Sequence, residues 1–218
     1  MDIRGKKIAF LGDSITEGTG VEKAENIYWK RLERNTGAVC YGYGIGGTCI
    51  APRENLPAEE LRDGNFVTRA DDMTEDAEVI VVFGGTNDFG CGAAPFGKIG
   101  EKNRISFCGS FSFLLEKLIQ RYPDAQLVVL TPLHRTEEWD TGFNEYGIRR
   151  NFQLKNYVDA IIEISGYYGV PVLDLYRTSG LQPAVSVLRE KYMPDGLHPN
   201  DLGHKRIADR LQAFLETL

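Results

Sequence analysis

The chain contains 218 residues, of which 26% are charged and 42% are hydrophobic, and its formal net charge is −6 at pH 7. This length is enough for one sizeable hydrophobic core and no linker-like stretch divides it, so we expect a single domain over residues 1–218. The negative charge and the scattered basic residues argue against nucleic acid or an anionic membrane as a partner.

The cysteines and the N-terminus indicate the compartment. Cys40, Cys49, Cys91 and Cys108 contain no C-x-x-C pair and are too sparse for a disulfide framework, so we expect reduced thiols. The first apolar run is only about four residues long, which is too short for a signal-peptide core or a membrane span. These features predict a cytoplasmic protein without a membrane span, with secretion left open if a leader has been removed.

The first predicted element is a strand that delivers a serine to its carboxyl end. The apolar run over residues 8–11 stops at Gly12, which is typical of a buried parallel strand. Asp13 and Ser14 follow in the turn, at the edge where ligands bind in open α/β sheets. A nucleophilic serine would suit this place, but Ser and Asp are also favoured helix caps, and the stretch alone favours the cap.

Four more strands and four helices follow in alternation. Apolar runs predict strands at 38–43, 79–83, 127–130 and 170–175, and helical spacing predicts helices at 22–35, 106–122, 148–168 and 202–218. This alternation indicates a doubly wound α/β fold, with a parallel sheet between two layers of helices. Residues just after the strands should then meet at one edge of the sheet: Ser14, the glycines at 44–47 and Asn87.

A serine hydroxyl needs a base within hydrogen-bond reach, and the chain has three histidines. His198 lies three residues after Asp195, so the carboxylate could hold one ring nitrogen while the other faces Ser14. A loop that caps the last helix explains the same residues equally well. His134 is the reserve base or a residue that lines the substrate site, and His204 is expected at the surface or in an interface.

Acyl transfer also needs N–H donors aimed at the developing oxyanion. The glycines at 44–47 let the chain turn tightly and expose backbone N–H groups, and Asn87 places an amide directly after a predicted strand. By itself, Asn87 is equally well explained as an Asx turn or a cap. The coincidence of all four features on one predicted edge favours a hydrolytic site.

Four blocks, in this order, resemble those of the SGNH hydrolases, also called the GDSL esterase/lipase family. The blocks are Gly12-Asp13-Ser14-Ile15, the glycine turn that ends at Gly47, Gly85-Thr86-Asn87-Asp88 and Asp195-Gly196-Leu197-His198. The resemblance spans residues 12 to 198. It implies a flavodoxin-like three-layer α/β/α fold, here with five parallel strands, and a serine hydrolase that uses no metal and no other cofactor.

The resemblance also implies roles for five residues. Ser14 is the nucleophile and the first oxyanion donor through its own N–H, while Gly47 and Asn87 supply the second and third donors. His198 is the general base and acid, and Asp195 orients it.

The sequence departs from the family pattern in two places. Ile15 stands where the short name has Leu, which is a conservative change. Gly42 stands where an Asn often precedes the glycine turn. The second donor could therefore be Gly44 or Gly46 instead of Gly47.

Two loops, 89–103 and 133–146, are expected to shape the substrate pocket. From them we assign Phe89, His134 and Trp139 to substrate binding. Their aromatic but polar composition suits a sugar ring better than a long acyl chain. The expected partner is therefore a small-molecule ester, an acetyl ester of a carbohydrate.

The sequence leaves two alternative functions open. A lysophospholipase or lipase-type acylhydrolase is the alternative within the family, and a non-catalytic carbohydrate-binding module is the alternative outside the enzymes. Residues 42–47 also match G-x-G-x-x-G, but prolines interrupt the helix that a dinucleotide site needs. The sequence does not predict the oligomeric state.

Overall fold

A computed structural model describes residues 1–53, 64–91, 94–144 and 147–218 of the chain. Within these residues the strands are β1 (Lys7–Gly12), β2 (Val39–Gly44), β3 (Val79–Phe83), β4 (Gln126–Leu130) and β5 (Val172–Leu173). They form one sheet in the order β2-β1-β3-β4-β5, and every neighbouring pair is parallel. The parallel sheet is confirmed, and its strand order is the flavodoxin-like one.

Helices cover both faces of this sheet. Along the described chain they are α1 (Ser14–Glu17), α2 (Tyr28–Thr36), α3 (Phe66–Arg69), α4 (Thr86–Cys91), α5 (Phe107–Arg121), α6 (Leu154–Tyr167), α7 (Leu175–Thr178), α8 (Ser186–Tyr192) and α9 (Asp201–Thr217). Buried residues of α5 and α6 belong to the core on one face, and those of α2 and α9 belong to the core on the other. This arrangement confirms the three-layer α/β/α fold.

The central strand β1 shows why the strands read as unbroken apolar runs. Ala9 and Leu11 contribute to the core with α5 and α6, whereas Ile8 and Phe10 contribute to the core with α2 and α9. All four side chains are fully buried. Side chains alternate between the two faces of a strand, so a strand that is covered on both faces needs an apolar residue at every position.

The three strands on one side of the sheet end at the same level. Gly12 of β1 pairs with Gly44 of β2 and with Phe83 of β3. The segments that leave these three ends therefore begin side by side, and they carry Ser14, the glycine turn and Asn87.

Two helices begin later than the sequence pattern predicts. Helix α2 begins at Tyr28 and not at residue 22, because a 3-10 turn at Ala24–Asn26 precedes it. The side chain of Asn26 in that turn donates to Asp201 Oδ2 at 2.8 Å, which ties the turn to the start of α9. The end of α2 agrees with the prediction, since Gly37 has a φ of 76° and caps the helix.

The predicted start of the helix over residues 148–168 is also wrong, because α6 begins at Leu154. The N–H of Ile148 donates to Asn144 Oδ1 at 2.9 Å, and that of Arg150 to the Gly142 carbonyl at 3.0 Å. These bonds hold residues 148–150 in a folded-back loop, so the helix cannot extend through them.

Candidate active site

Ser14 is the first residue of α1, and Asp13 before it caps the helix. Asp13 Oδ1 accepts the N–H of Ile15 at 3.0 Å. The turn has no room for a side chain at Gly12, where a Cβ would lie 1.9 Å from Thr16 Oγ1. The capping role therefore belongs to Asp13. The N–H of Ser14, at a helix N-terminus, has no acceptor within its own helix.

The structure brings Ser14, His198 and Asp195 together. Ser14 Oγ lies 3.0 Å from His198 Nε2, although the two residues are 184 positions apart in the chain. On the other side of the ring, His198 Nδ1 lies 2.7 Å from Asp195 Oδ2. When Nδ1 donates its hydrogen to the carboxylate, Nε2 is left to accept the serine proton.

Asp195 also fixes the loop that carries His198. Its second oxygen, Oδ1, accepts the N–H groups of His198 at 2.7 Å and Leu197 at 2.9 Å. Partial burial would raise the pKa of this carboxyl, but the two N–H donors and the imidazole outweigh it, so the pKa lies below its ordinary value. The carboxylate is therefore charged at neutral pH.

A cavity of about 1080 Å³ opens beside these residues, and we call it the Ser14 cavity. Ser14, His198 and Asp195 line it, together with the turn after β2, α4 and parts of the segment 135–150. Charged and polar groups dominate its described lining. A lipid tunnel, in contrast, needs a long apolar wall.

The turn after β2 brings backbone N–H groups to the cavity. The N–H of Thr48 donates to the carbonyl of Ile45 at 3.4 Å, and Gly47 between them has a φ of 74°. Residues with a Cβ rarely adopt this left-handed conformation. Gly46 and Gly47 line the Ser14 cavity, whereas Gly44 ends β2 and is not part of the described lining.

Asn87 lies in the first turn of α4 and points its amide at the same turn. Its Nδ2 donates to the Thr48 carbonyl at 2.9 Å, and because a primary amide has two hydrogens, one can still face the cavity. The next residue, Asp88, is buried and accepts the N–H groups of Ile50 and Ala51, each at 2.9 Å. These bonds tie the glycine turn to α4.

Buried charges lie behind the turn. Burial raises the pKa of Asp13 to about 7 and that of Asp88 to about 6, although backbone N–H donors to each carboxyl oppose the shift. Arg69 lies nearby and donates to the Gly12 carbonyl at 3.0 Å and to Thr48 Oγ1 at 2.8 Å. The arginine thus links the end of β1 to the glycine turn.

Phe89, which we assigned to substrate binding, lies in the core. Its side chain is fully buried and is not part of the described lining of the Ser14 cavity. The guanidinium groups of Arg135 and Arg150 lie over its ring, 5.4 Å and 5.2 Å from the centroid. The ring therefore supports two cavity residues and does not itself face the cavity.

His134 and Trp139 also lie outside the described lining. His134 Nδ1 is 2.7 Å from Glu138 Oε2, and its ring packs against Tyr176 with the centroids 3.8 Å apart. Trp139 is exposed on the surface of the same segment. Residues 92–93 and 145–146 of the two predicted loops lie outside the described residues.

Sequence reasoning missed three arginines that line the cavity: Arg53, Arg135 and Arg150. Arg53 Nη1 donates to the Gly47 carbonyl at 2.8 Å, next to the glycine turn. For Arg135 and Arg150, the sequence did contain a signal, namely the charge of the segment that follows β4. Residues after strand ends lie at the edge of the sheet where ligands bind.

The prediction that His204 lies at the surface or in an interface is wrong. Its side chain is fully buried between α9 and α2, where Nδ1 accepts the N–H of Tyr28 at 3.1 Å. Burial lowers the pKa of this imidazole to about 4. A neutral histidine can serve as a core residue when its nitrogen finds a buried donor.

The described residues contain no evident metal site and no membrane-spanning helix. No group of three or more His, Cys, Asp or Glu side chains in that part of the chain could hold a metal ion. None of its helices is long and apolar enough to cross a membrane.

Comparison with known proteins assigns the family. Residues 10–206 match the model of the GDSL-like Lipase/Acylhydrolase family. The chain therefore belongs to this family, as the four sequence blocks predicted. None of the curated proteins matches the chain.

Solved structures resemble the chain over nearly its whole length. A protein from Lactobacillus plantarum is 31% identical with a TM-score of 0.83, and the match covers 98% of each chain. A lipase/acylhydrolase from Enterococcus faecalis is 19% identical with a TM-score of 0.65, and the match covers 97% of this chain and 96% of that one. An acetyl xylan esterase is 20% identical with a TM-score of 0.61, and the match covers 96% and 99%. The last two likenesses are in fold.

Proposed function

We propose that this protein is a serine esterase that hydrolyses a small carboxylic ester by two-step acyl transfer. Ser14 attacks the ester carbonyl while His198 takes its proton and passes it to the leaving alcohol. Water, activated by the same histidine, then releases the acid from the serine. Asp195 holds the imidazole in the tautomer that leaves Nε2 free to accept a proton.

The oxyanion that forms on the substrate carbonyl is stabilised by N–H donors at the same edge of the sheet. These are the backbone N–H groups of Ser14 and Gly47 and the side-chain amide of Asn87. Each such donor is worth about 3 kcal/mol of transition-state stabilisation. Gly46 also lines the cavity, but the left-handed backbone at Gly47 favours Gly47 as the donor.

One observation carries this proposal: Ser14 Oγ, the His198 ring and Asp195 form a continuous hydrogen-bonded chain at the mouth of a cavity. A plain helix cap at Ser14 would not need a histidine 3.0 Å from its hydroxyl. Nor would a loop that only caps α9 need to present His198 to the end of β1.

The polar lining of the Ser14 cavity favours a short acyl group on a polar molecule. An acetyl ester of a carbohydrate fits this lining, and one structure that resembles the chain in fold is that of an acetyl xylan esterase. The exposed ring of Phe143 lines the rim and offers a surface on which a sugar could stack. The long apolar wall that a lysophospholipase would need is missing from the described lining.

The test is hydrolysis of p-nitrophenyl acetate, butyrate and octanoate by the native chain, by Ser14→Ala and by Ser186→Ala. Ser186 is a matched control, because it too is the first residue of a helix, α8, but it is not part of the described lining of the cavity. We expect acetate to be the best substrate, Ser14→Ala to be inactive and Ser186→Ala to match the native protein.

Other results would redirect or overturn the proposal. Best turnover of octanoate would favour the lipase-type alternative. Activity that survives in Ser14→Ala would exclude Ser14 as the nucleophile. No ester hydrolysis by the native chain, together with sugar binding, would favour the carbohydrate-binding module.

A further inference from the structure

Arg135 lies between α4 and the loop that carries Asp195 and His198. The backbone around it is held at both sides: its own N–H donates to Glu138 Oε2 at 3.3 Å, and the N–H of Thr136 donates to the Gly196 carbonyl at 3.0 Å. Gly196 belongs to the loop that carries Asp195 and His198. Arg135 is therefore anchored to this loop while its side chain reaches over Phe89 of α4.

The guanidinium of Arg135 is largely but not fully buried, and it has only long contacts. Its side chain is 12% exposed, and Nη2 lies 3.6 Å from Glu137 Oε2. Nη1 lies 3.4 Å from the Thr86 carbonyl and 3.5 Å from Thr86 Oγ1. Charge-assisted hydrogen bonds of this kind are normally about 2.7–2.9 Å long. A group with five N–H donors thus keeps unused donor capacity at the cavity wall.

The neighbouring Arg150 is satisfied in a way that Arg135 is not. Its Nη1 lies 2.9 Å from Asp140 Oδ2, and its Nε donates to the Gly90 carbonyl at 3.3 Å. Arg150 therefore holds its own segment against α4, whereas Arg135 has donors to spare.

The cationic and anionic side chains that line the Ser14 cavity differ in how far they are exposed. The side chains of Arg135 and Arg150 are 12% and 8% exposed, whereas those of Glu137 and Asp140 are 58% and 48% exposed. Carboxylates at the rim are screened by water, while the buried cations are not. Burial lowers the pKa of Arg135. The Glu137 carboxylate opposes this shift, and the Arg150 cation adds to it. Glu17 and Asp195, the other two carboxylates of the described lining, are exposed as well, so no carboxylate of that lining is buried beside the two arginines.

We propose that Arg135 binds an oxyanion group of the substrate, so that the natural ester is carried by an anionic molecule such as a sugar acid. The planar guanidinium matches a carboxylate with two parallel hydrogen bonds. This inference rests on the proposed esterase function and adds to it the charge of the substrate.

A pair of acetyl esters that differ in one group tests the inference. The O-acetylated methyl glycosides of glucuronic acid and of glucose differ only in a carboxylate against a hydroxymethyl group, and acetate release measures both. We expect the native chain to prefer the glucuronide roughly 10- to 100-fold in kcat/KM, which is the usual effect of a hydrogen bond to a charged group. The difference should lie mainly in KM.

Substitutions of Arg135 test whether this residue causes the preference for the glucuronide. Arg135→Gln should remove this preference, because glutamine keeps a polar side chain but carries no charge. Arg135→Lys should keep part of the preference, since lysine keeps the charge but cannot donate two parallel hydrogen bonds to a carboxylate. Arg149→Gln is the matched control, because Arg149 is exposed and lies outside the described lining.

The outcomes separate this inference from the esterase proposal. Equal turnover of the two esters, or an equal loss of both in Arg135→Gln, overturns the anionic substrate but leaves a Ser14-dependent esterase standing. A 6-sulfated glucoside ester, turned over as well as the glucuronide, supports an oxyanion other than a carboxylate.

If neither these esters nor p-nitrophenyl acetate are hydrolysed, the esterase proposal fails on its own. Calorimetric binding of methyl glucuronide against methyl glucoside then decides the role of Arg135. Tighter binding of the glucuronide, lost in Arg135→Gln, supports the oxyanion site, and equal binding overturns it.

Discussion

Asp195 is the most exposed of the three residues proposed as the triad. Its side chain is 53% exposed, compared with 18% for that of His198. Water can therefore reach the carboxylate and screen its charge, so its attraction for the imidazole is weaker than in a buried site. Two of its three hydrogen-bond contacts go to the backbone of its own loop, which makes it a loop-forming residue as well.

Asp195→Asn should consequently retain more activity than Ser14→Ala. We expect kcat for p-nitrophenyl acetate to fall about a thousandfold in Asp195→Asn and about a hundred-thousandfold or more in Ser14→Ala. The reason is that solvent can take over part of the role of an exposed carboxylate, whereas nothing replaces the nucleophile. Circular dichroism would verify that both variants fold. Equal losses in the two variants would contradict this view of Asp195.

The residues of the site differ in how far the sequence predicts them. Ser14 and Asn87 directly follow apolar runs, and Asp195 and His198 lie close together in the chain, so local patterns are enough. Arg135, in contrast, reaches the cavity only because its segment folds against α4 and the His198 loop. No local pattern encodes that contact.

Like long-range contacts, the burial of a side chain is not predicted by a local sequence pattern. From the sequence, Phe89 was expected to bind substrate and His204 to lie at the surface or in an interface. Both are fully buried because elements distant in the chain cover them, namely the segment of Arg135 and Arg150 for Phe89 and α2 for His204.

At the scale of elements, the short helix α1 lies directly against β2. A Cβ at Gly44 would come within 2.1 Å of the Glu17 backbone nitrogen and 2.4 Å of the Thr16 carbonyl carbon. This close approach places Ser14 beside the turn that begins after Gly44. The glycine therefore sets the distance between the proposed nucleophile and its oxyanion donors.

Gly44→Ala should accordingly be destabilising and should lower esterase activity. Overpacking of this kind costs about 1–3 kcal/mol or more of the free energy of unfolding, because the obstacle is backbone and cannot rotate away. Gly166→Ala is the matched control, since Gly166 lies in α6 and a Cβ there would meet nothing within 4 Å. It should stabilise the protein by about 0.5–1 kcal/mol.

Urea unfolding of both variants, followed by circular dichroism, measures these two changes. A Gly44→Ala protein as stable and as active as the native chain would show that α1 and β2 can separate without consequence.

The helix boundaries show which part of the fold a periodic pattern predicts. Apolar spacing located the buried middles of α2 and α6, because those residues face the core. It misplaced their starts, where contacts such as Asn26 with Asp201, and Ile148 with Asn144, compete with helical hydrogen bonds. Such contacts are specific to the tertiary structure and leave no period in the sequence.

At the scale of the whole molecule, α9 closes the structure. The N-terminal amino group of Met1 donates to the carbonyl of Leu215 at 3.0 Å, so the two ends of the chain meet. The same helix packs on α2 through His204, whose ring stacks on Tyr28 with a centroid separation of 6.0 Å. Because α2 and α9 together cover one face of the sheet, charging His204 would destabilise the entire fold.

The pKa of His204 therefore predicts how stability depends on pH. In the folded protein this pKa is lowered to about 4, against 6.5 ordinarily. Between these values the unfolded chain binds a proton that the folded protein does not, so the free energy of unfolding falls as the pH drops. The loss is at most about 1.4 kcal/mol per pH unit, or roughly 3 kcal/mol in all.

Asp13 and Asp88 act in the opposite direction, because their folded pKa values of about 7 and about 6 lie above the ordinary 3.8. Their contribution to stability is present at low pH and is lost as the pH rises through these values. A pH profile of the native protein alone would mix the two effects. A comparison with His204→Asn separates them, because the variant keeps both carboxyls, and its amide oxygen can still accept the N–H of Tyr28.

We expect His204→Asn to be less stable than the native protein at neutral pH, since it loses a packed ring. The difference should shrink by roughly 3 kcal/mol as the pH falls from 7 to 4, because only the native protein loses stability through this histidine. Urea unfolding of both proteins at steps of about one pH unit measures the difference. Parallel profiles would show that His204 titrates alike in the folded and unfolded chain, and that its burial does not limit the stability of the fold in acid.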